Sequence, residues 1–412
     1  MHYIRLLRPA KIQSTAEGLV VSLLFTITTD LGDSFLCPDE GSLDLIVAAV
    51  DAAAVVRHTC IYRWNAGMRV LDAKVKLWPG LKSETVNCRV AIHPAQQSRQ
   101  TGATPASLGT LQVREVLPWR IGTDEAIKMG VVMPATFEIA NGVCAPVSVR
   151  TIELRGDQAG QNDEDRDTIR LGFEEDIGES IARHIWDAGV VTSAYLADAC
   201  SSPDSIRNIL PIENGSFNVL ELGSGVGILG ITIASILPRA AAALGKTLKS
   251  ARVLLTDLDE AEERAKSNIA NAQATLAHGS MFGTRVSIDY ENLNWDEGRE
   301  GLVGPLVAAT PWDLVVLSDC TYNVDSLPAL IGTLGALHVA KQRHNSTNND
   351  SVVKSSVILA TKPRHSSEEA LFGLLGDQNW TYRLVKEIPL PKIGDEDEFV
   401  QIYFLEKGDN AV

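Results

Sequence analysis

An α/β fold built on a mostly parallel open sheet, preceded by a separate β-rich module, is the architecture the sequence predicts. Three observations carry that expectation. Phe217 to Gly230, FNVLELGSGVGILG, runs from an apolar strand through an acidic end and a glycine-rich turn into a helix, the arrangement with which α/β folds hold a nucleotide-like cofactor. Downstream of it, apolar strand-like runs alternate with helix-like stretches. Upstream, over about 150 residues, β-branched or alternating segments are separated by Gly, Pro, Ser and Asp, with no comparable helix alternation.

In that upstream module, Leu19 to Thr29, Arg69 to Leu77, Val86 to Ile92 and Val131 to Ile139 read as strands, Ser42 to Arg57 as a helix, and His93 to Ser107 as a loop. It contains no nucleophile constellation, metal cluster or phosphate loop, so docking or structural support are both open. Between Glu153 and Glu179 ten acidic residues stand against three arginines, and GDQAGQNDEDRD at its middle reads as a linker or solvated charge run. The expected division is a β-rich domain over 1–152, an acidic linker over 153–176 and an α/β domain over 177–412.

Composition bounds the function. The chain has 412 residues, 45% hydrophobic and 22% charged, which suits two domains with sizeable cores. A net charge of −15 opposes a sequence-independent grip on nucleic acid and accommodates a basic partner. The six cysteines are scattered, with no metal-ligand spacing, as in a reduced cytoplasmic or nuclear protein. The N-terminal residues lack a secretory h-region, and the longest apolar stretch, Leu45 to Val56, is broken by Asp51, so neither a signal peptide nor a membrane span is expected.

Within the α/β half, strands are expected at Phe217 to Leu222, Arg252 to Thr256, Arg285 to Tyr290, Asp313 to Ser318 and Ser356 to Thr361. Helices fit at Gly227 to Leu237, Glu260 to Leu276, Ser326 to Ala340 and Ser367 to Gly376. Trp380 to Ile388 and Phe399 to Glu406 follow without an intervening helix, which reads as a terminal antiparallel hairpin.

The cofactor is read from charge. Gly225, Gly227 and Gly230 satisfy a dinucleotide fingerprint, but Glu221 at the strand end would repel a pyrophosphate and suits a cofactor carrying an ammonium and a sulfonium. S-adenosylmethionine is such a cofactor. Glu221, Gly223, Gly225 and Gly227 resemble the first motif of class I methyltransferases, acidic-x-Gly-x-Gly-x-Gly, whose sheet runs 3-2-1-4-5-7-6. Asp257, closing RVLLT, is the candidate for the ribose hydroxyls, with Asp259 and Glu260 as neighbours that compete for the role and a helix start enriched in acids as the plain alternative. Its distance of 30 residues from Gly227 reflects the insertion PRAAAALGKTLKSA. Trp295 covers an adenine face or plugs the core.

Asp313 to Tyr322, DLVVLSDCTY, delivers Ser318, Asp319 and Tyr322 to the carboxyl edge of the sheet, where ligands bind in open α/β folds. The tetrad Asp319-Cys320-Thr321-Tyr322 resembles the D-x-x-Y motif of the seven-β-strand protein lysine methyltransferases, methyltransferase family 16. Trp186-Asp187-Ala188-Gly189 with Leu196 resembles that family's WdA segment, Leu293-Asn294-Trp295 its LdW element with Asn294 in place of the acid, and Thr361 to His365 its K-x-R-like strand end. The β-rich N-terminus is similar to that of fungal members. The resemblance implies cofactor contacts from Trp186, Glu221, Gly223, Gly225, Gly227, Asp257, Trp295 and Ser318. It places Asp319 against the acceptor amine and Tyr322 on the channel wall, with no metal. A protein lysine is the implied acceptor, with translation factors or chaperones as the class of substrate. A small-molecule N-methyltransferase, a non-catalytic cofactor-binding scaffold and an NAD-dependent oxidoreductase are the other readings. His184, His365 and Cys320 read as packing or surface residues, and Asn268 and Asn271 as finishing a helix.

Overall fold

The computed structural model describes residues 1–38, 41–81, 85–95, 108–121, 131–155, 168–178, 181–277, 283–346, 354–391 and 398–408. The chain divides into two compact units. One comprises Met1–Glu153, Arg170–His184 and Leu390–Asp397, and the other Leu154–Ile169, Ile185–Pro389 and Glu398–Val412.

The first unit is built from strands, as expected. A five-stranded sheet orders Lys11–Thr15, Gly18–Thr29, His2–Leu6 and Val132–Met133, with Leu71–Lys76 also paired to Gly18–Thr29. A larger sheet orders Thr168–Asp176, Val147–Arg155, Ala135–Ala140, Cys88–Pro94, Ser42–Asp51 and Val56–Asn65. Alternating apolar residues from both sheets, among them Ile4, Phe25, Val47, Val90 and Phe137, form one hydrophobic core.

Two expectations fail here. Ser42 to Arg57 is a hairpin, with Leu43, Leu45 and Val47 buried on one face of the first strand. The alanine-rich run that imitates a helix is interrupted at its turn, where the Asp51 carboxylate accepts the Ala53 and Val55 N–H groups and Ala54 takes φ 60°. The acidic stretch is likewise bounded by sheet rather than being all linker: Val147–Arg155 and Thr168–Asp176 are neighbouring strands, and its middle, 156–167, lies outside the described residues. Residues 96–107 of the expected loop also lie outside them.

The acids of that strand are used internally. Arg150, fully buried, donates from Nε to Glu175 Oε1 at 2.7 Å and from Nη1 to the Pro134 carbonyl at 2.8 Å, while Nη2 reaches the Ile4 carbonyl at 2.6 Å. Burial alone would push the Glu175 carboxyl up, but Arg150 and His184 outweigh it and hold it well below the usual carboxylate range. Acidity in this stretch is therefore part structural.

The second unit carries a seven-stranded sheet: β1 (Gly215–Leu222), β2 (Leu248–Asp257), β3 (Arg285–Asn292), β4 (Leu314–Ser318), β5 (Ser355–Thr361), β6 (Thr381–Pro389) and β7 (Phe399–Lys407). Its order is β3-β2-β1-β4-β5-β7-β6, with β1 to β5 parallel and β7 antiparallel to both of its neighbours. This is the class I methyltransferase topology. The inner strands are near-continuous apolar runs, VLEL, VLL, LVVL and VILA, because both faces are covered. The longer helices are α1 (Asp187–Ala199), α2 (Ile228–Ala243), α3 (Asp259–Ala277), α4 (Leu327–Ser346) and α5 (Ala370–Asp377). The PRAAAA insertion continues α2, with Pro238 inside the helix, and Leu248 already begins the next strand. Parallel pairing aligns the ends of β1, β2, β4 and β5 on one edge, so residues far apart in sequence meet there. Among the described residues no helix is long and apolar enough to cross a membrane.

Arg150→Ala strands a buried carboxylate, and we expect it to destabilise the first unit by about 3–5 kcal/mol in a denaturant titration; a loss under about 1 kcal/mol would show that the pair is dispensable.

Candidate active site

The turn after β1 is shaped from beneath. Gly223, Gly225 and Gly227 have φ of 65°, 54° and 86°, the left-handed region where side chains are strained. Space reinforces conformation: a Cβ on Gly223 would lie 2.5 Å from Cys320 Sγ, and one on Gly227 would lie 2.7 Å from Leu255 Cδ1. Ser224 N–H is held by the Thr256 carbonyl at 3.0 Å, and the Val226 carbonyl accepts from Asn268 Nδ2 at 2.9 Å. Asn268 thus sits in mid-helix, fully buried, supporting the loop instead of ending α3.

Two carboxylates end the first two strands. Glu221, 1% exposed, accepts from the Gly230 N–H at 3.0 Å, and a Cβ on Gly230 would overlap its Oε2. It pins the first turn of α2 against the sheet. Asp257 accepts from Gly225 N–H and Leu258 N–H, both at 2.7 Å. Burial pushes the Glu221 carboxyl up to about 8, with the neighbouring Asp257 charge adding to the effect, and burial raises Asp257 too. Among the described residues neither carboxylate pairs with a cation.

That donor set decides the fit of a cofactor. Two desolvated acids without counter-charge beside a glycine loop repel an anionic pyrophosphate and suit a cationic group and hydroxyl donors. The Ser224 hydroxyl, buried without a hydrogen-bond partner, adds a further polar group at this loop. S-adenosylmethionine meets these requirements.

Other sequence-selected residues fall around this loop. Trp295 is half-buried against the core formed under β1 and β4, and its ring lies 3.2 Å from where a Gly223 Cβ would stand. Asn294 caps the short helix that follows, accepting the Asp296 N–H at 2.9 Å, a duty an acid would also perform. Ser318 ends β4 with its hydroxyl facing Gly189 on α1. Asp259 and Glu260 are exposed in the first turn of α3.

Beside the loop lies a second charged group that the sequence only partly disclosed. Asp187, fully buried, pairs with Lys362 Nζ at 2.9 Å, and Lys362 also meets Glu398 at 2.8 Å. Arg364 Nη1 donates to Asp319 Oδ1 at 2.9 Å while its guanidinium stands 5.5 Å from the centre of the Trp186 ring. Asp319 Oδ2 accepts the Ala188 N–H at 2.7 Å. Both oxygens of the carboxylate expected to face an amine are therefore engaged by the protein. Tyr322 is 55% exposed, and burial raises its hydroxyl pKa, helped by Cys320, Asp257 and Glu260. Cys320 is buried, its thiol pushed well above 9 by burial, and Sγ lies on the Leu222 and Gly223 carbonyls. His365 caps a turn, and His184 contacts the Gly178 carbonyl in the other unit's own structure. Among the described residues no group of His, Cys, Asp and Glu has metal-site geometry. Asp187, Lys362, Arg364 and Asn268 were missed as site residues; three of them lay inside the quoted WDAG and TKPRH segments, and the fourth showed only as a poor helix former in mid-helix.

Residues 165–378 match the family described as lysine methyltransferase. The chain belongs to that family. This lysine methyltransferase is 27% identical over 340 residues to a UPF0665 family protein of Schizosaccharomyces pombe, covering 82% of this chain and 85% of the relative. It is 28% identical over 163 residues to the protein N-lysine methyltransferase METTL21A of Xenopus tropicalis, covering 40% of this chain and 57% of that one. The solved structure of Trm5b from Pyrococcus abyssi overlaps 88% of this chain and 99% of its own at 9% identity and a TM-score of 0.33. Like its family, this lysine methyltransferase depends on S-adenosylmethionine.

We expect Asp257→Ala to weaken S-adenosylhomocysteine binding by about 10- to 100-fold in calorimetry, the worth of one or two charge-assisted hydrogen bonds. Retained affinity would move the ribose contact to Asp259 or Glu260. Glu221 gives a second test, through stability. Its folded pKa lies above the unfolded value, so the protonated form stabilises the fold at low pH and that contribution is lost as pH rises through about 8. Glu221→Gln, which mimics the protonated acid, should gain on the wild type between about pH 5 and pH 8.5, by about 1–3 kcal/mol at the upper end. A pH-independent difference in cofactor-free protein would rule out a buried, uncharged Glu221.

Proposed function

We propose that this enzyme methylates a lysine side chain of a protein, and that Tyr322 forms the wall of the acceptor channel. The observation that carries the proposal is the half-exposed Tyr322 at the carboxyl edge, with Asp257 and Glu260 acting on its hydroxyl. An aromatic face with acids beside it suits an aliphatic stem ending in an amine. The lysine methyltransferase family match supports this reading, as does METTL21A, whose name specifies a protein N-lysine. Translation factors or chaperones are the substrate class we favour within proteins, on family resemblance.

S-adenosylmethionine supplies an activated methyl group on a sulfonium. Gly223, Gly225 and Gly227 would open the loop to it, Asp257 and, once its proton is displaced, Glu221 would offer hydrogen-bond acceptors and negative charge, and Trp295 and Trp186 would flank it. Among the described residues of this edge none is built as a strong base. Asp319 is engaged by Arg364, and burial keeps the proton on the Cys320 thiol, so a lysine acceptor loses its proton to water before it reacts. Catalysis then consists of holding and drying the reacting groups.

Two outcomes follow. Tritium from labelled cofactor should run with a discrete protein band in a lysate and label lysine-centred basic peptides; label confined to the small-molecule fraction would favour the metabolite N-methyltransferase reading instead. On such a peptide, kcat/KM should rise about tenfold per pH unit between about pH 6.5 and 8.5, because the free amine fraction rises that way below a lysine pKa of about 10.4. A flat profile would require a base within the enzyme.

A further inference from the structure

Three stretches distant in sequence converge beyond the end of β4: the entry to α1 at 186–189, the tetrad at 319–322 and the segment after β5 at 361–368. Asp319 is the centre of the convergence and is conformationally costly. Of the four non-glycine residues with positive φ among those described, Ala54, Asn141, Asp319 and Asn379, only Asp319 is buried. Such a backbone costs about 1–3 kcal/mol and persists where surrounding contacts determine it.

Several such contacts surround it. The Asp319 N–H donates to the Ala360 carbonyl at 3.0 Å; Oδ2 accepts from Ala188 N–H at 2.7 Å; Oδ1 accepts from Arg364 Nη1 at 2.9 Å and from Lys362 N–H at 3.3 Å. The left-handed residue reverses the chain, turning Cys320 inward under the glycine loop and leaving Tyr322 55% exposed at the mouth. A second hold lies two residues on. Thr321 Oγ1 donates to Glu368 Oε2 at 3.0 Å, and Glu368 Oε1 accepts the Arg364 N–H at 2.9 Å. One short segment thus grips the tetrad twice, through Arg364 on Asp319 and through Glu368 on Thr321.

Resting on the acceptor-channel proposal for Tyr322, we infer that Arg364 is a positioning residue for methyl transfer, clamped in place by Glu368. It neutralises Asp319, holds the strained turn that aims Tyr322, and carries the Trp186 ring on its other side. The glycine loop is secured separately, by Glu221 on Gly230 and Asp257 on Gly225. The clamp therefore acts on turnover more than on cofactor binding, which it reaches only through Trp186 and Cys320.

The full-length chain tests this with Arg364→Ala, Arg364→Lys and Glu368→Gln. For Arg364→Ala, S-adenosylhomocysteine affinity should stay within about threefold, while kcat on the best-labelled lysine peptide falls about 10- to 100-fold with a smaller change in KM. Arg364→Lys keeps the charge and loses the fork, so it should recover part of that loss. Backbone hydrogen exchange supplies a readout independent of any acceptor. The Ala188 amide, which Asp319 holds, should exchange about tenfold faster in both Arg364 variants, and the Gly230 amide should not change. Faster exchange of Gly230 together with lost cofactor affinity would reduce Arg364 to a general stabiliser and overturn the inference, as would Arg364→Ala turnover within twofold of wild type. If the alanine variant does not fold, Arg364→Lys and Glu368→Gln carry the same criteria. A wild type that labels no peptide would defeat the acceptor proposal, and unchanged Ala188 exchange would defeat the clamp separately.

Discussion

A carboxylate buried at a strand end with no cation beside it is the constraint around which the catalytic half is arranged. Glu221 is 1% exposed and tied to the first turn of α2, and Asp257, also desolvated, is tied to Gly225. Each hydrogen bond fixes a piece of the glycine loop, so the two desolvated acids also set its backbone. Desolvation makes this arrangement costly without the ligand: it pushes Glu221 up to about 8, so the acid binds a proton where a cation would otherwise stand. Instability is concentrated where function needs unspent charge.

The same edge treats two other acids in the opposite way. Asp187 is matched by Lys362 and Asp319 by Arg364, each at 2.9 Å. The edge thus divides into a part whose acids have no cationic partner among the described residues, at β1 and β2, and a part whose charges are already paired, at β4 and β5. A neutralised Asp319 does not compete with Glu221 and Asp257 for a cation, which keeps attraction focused on one side of the cleft. Both Asp319 oxygens also hold protein groups, Oδ2 the Ala188 N–H and Oδ1 the Arg364 guanidinium.

Much of this was legible in sequence because it is local. The strands of the sheet, the hairpin ending and the glycine turn follow from short apolar runs, alternation and punctuation, and residues Glu221, Gly223, Gly225, Gly227 and Asp257 sit together on the carboxyl edge as parallel pairing requires. What sequence did not disclose is pairing at long range. WDAG and TKPRH were each visible as segments, yet nothing in their spacing says that Lys362 reaches Asp187 across 175 residues or that Arg364 reaches Asp319. The error at 42–57 has a different origin. Ala and Val runs satisfy helix and buried strand periodicities alike, and the outcome was decided by the Asp51 turn and the neighbouring strands. In the acidic stretch, charge concealed strands because Glu175 and Glu153 are neutralised by arginines on paired strands.

Cys320 shows how packing limits chemistry at this edge. It lies in the tetrad, within reach of the cofactor loop, where a thiolate would be a strong nucleophile. Burial and the surrounding acids keep its proton on, Sγ contacts the Leu222 and Gly223 carbonyls, and a Cβ on Gly223 would approach it to 2.5 Å. The sulfur therefore fills the space beneath the glycine turn, and its size requires glycine above it. A direct displacement asks for no nucleophile from the protein, so a neutral thiol serves better here than a reactive one. Cys320, directly after Asp319, thereby links the two halves of the edge, joining the strained turn at Asp319 to the glycine loop after β1.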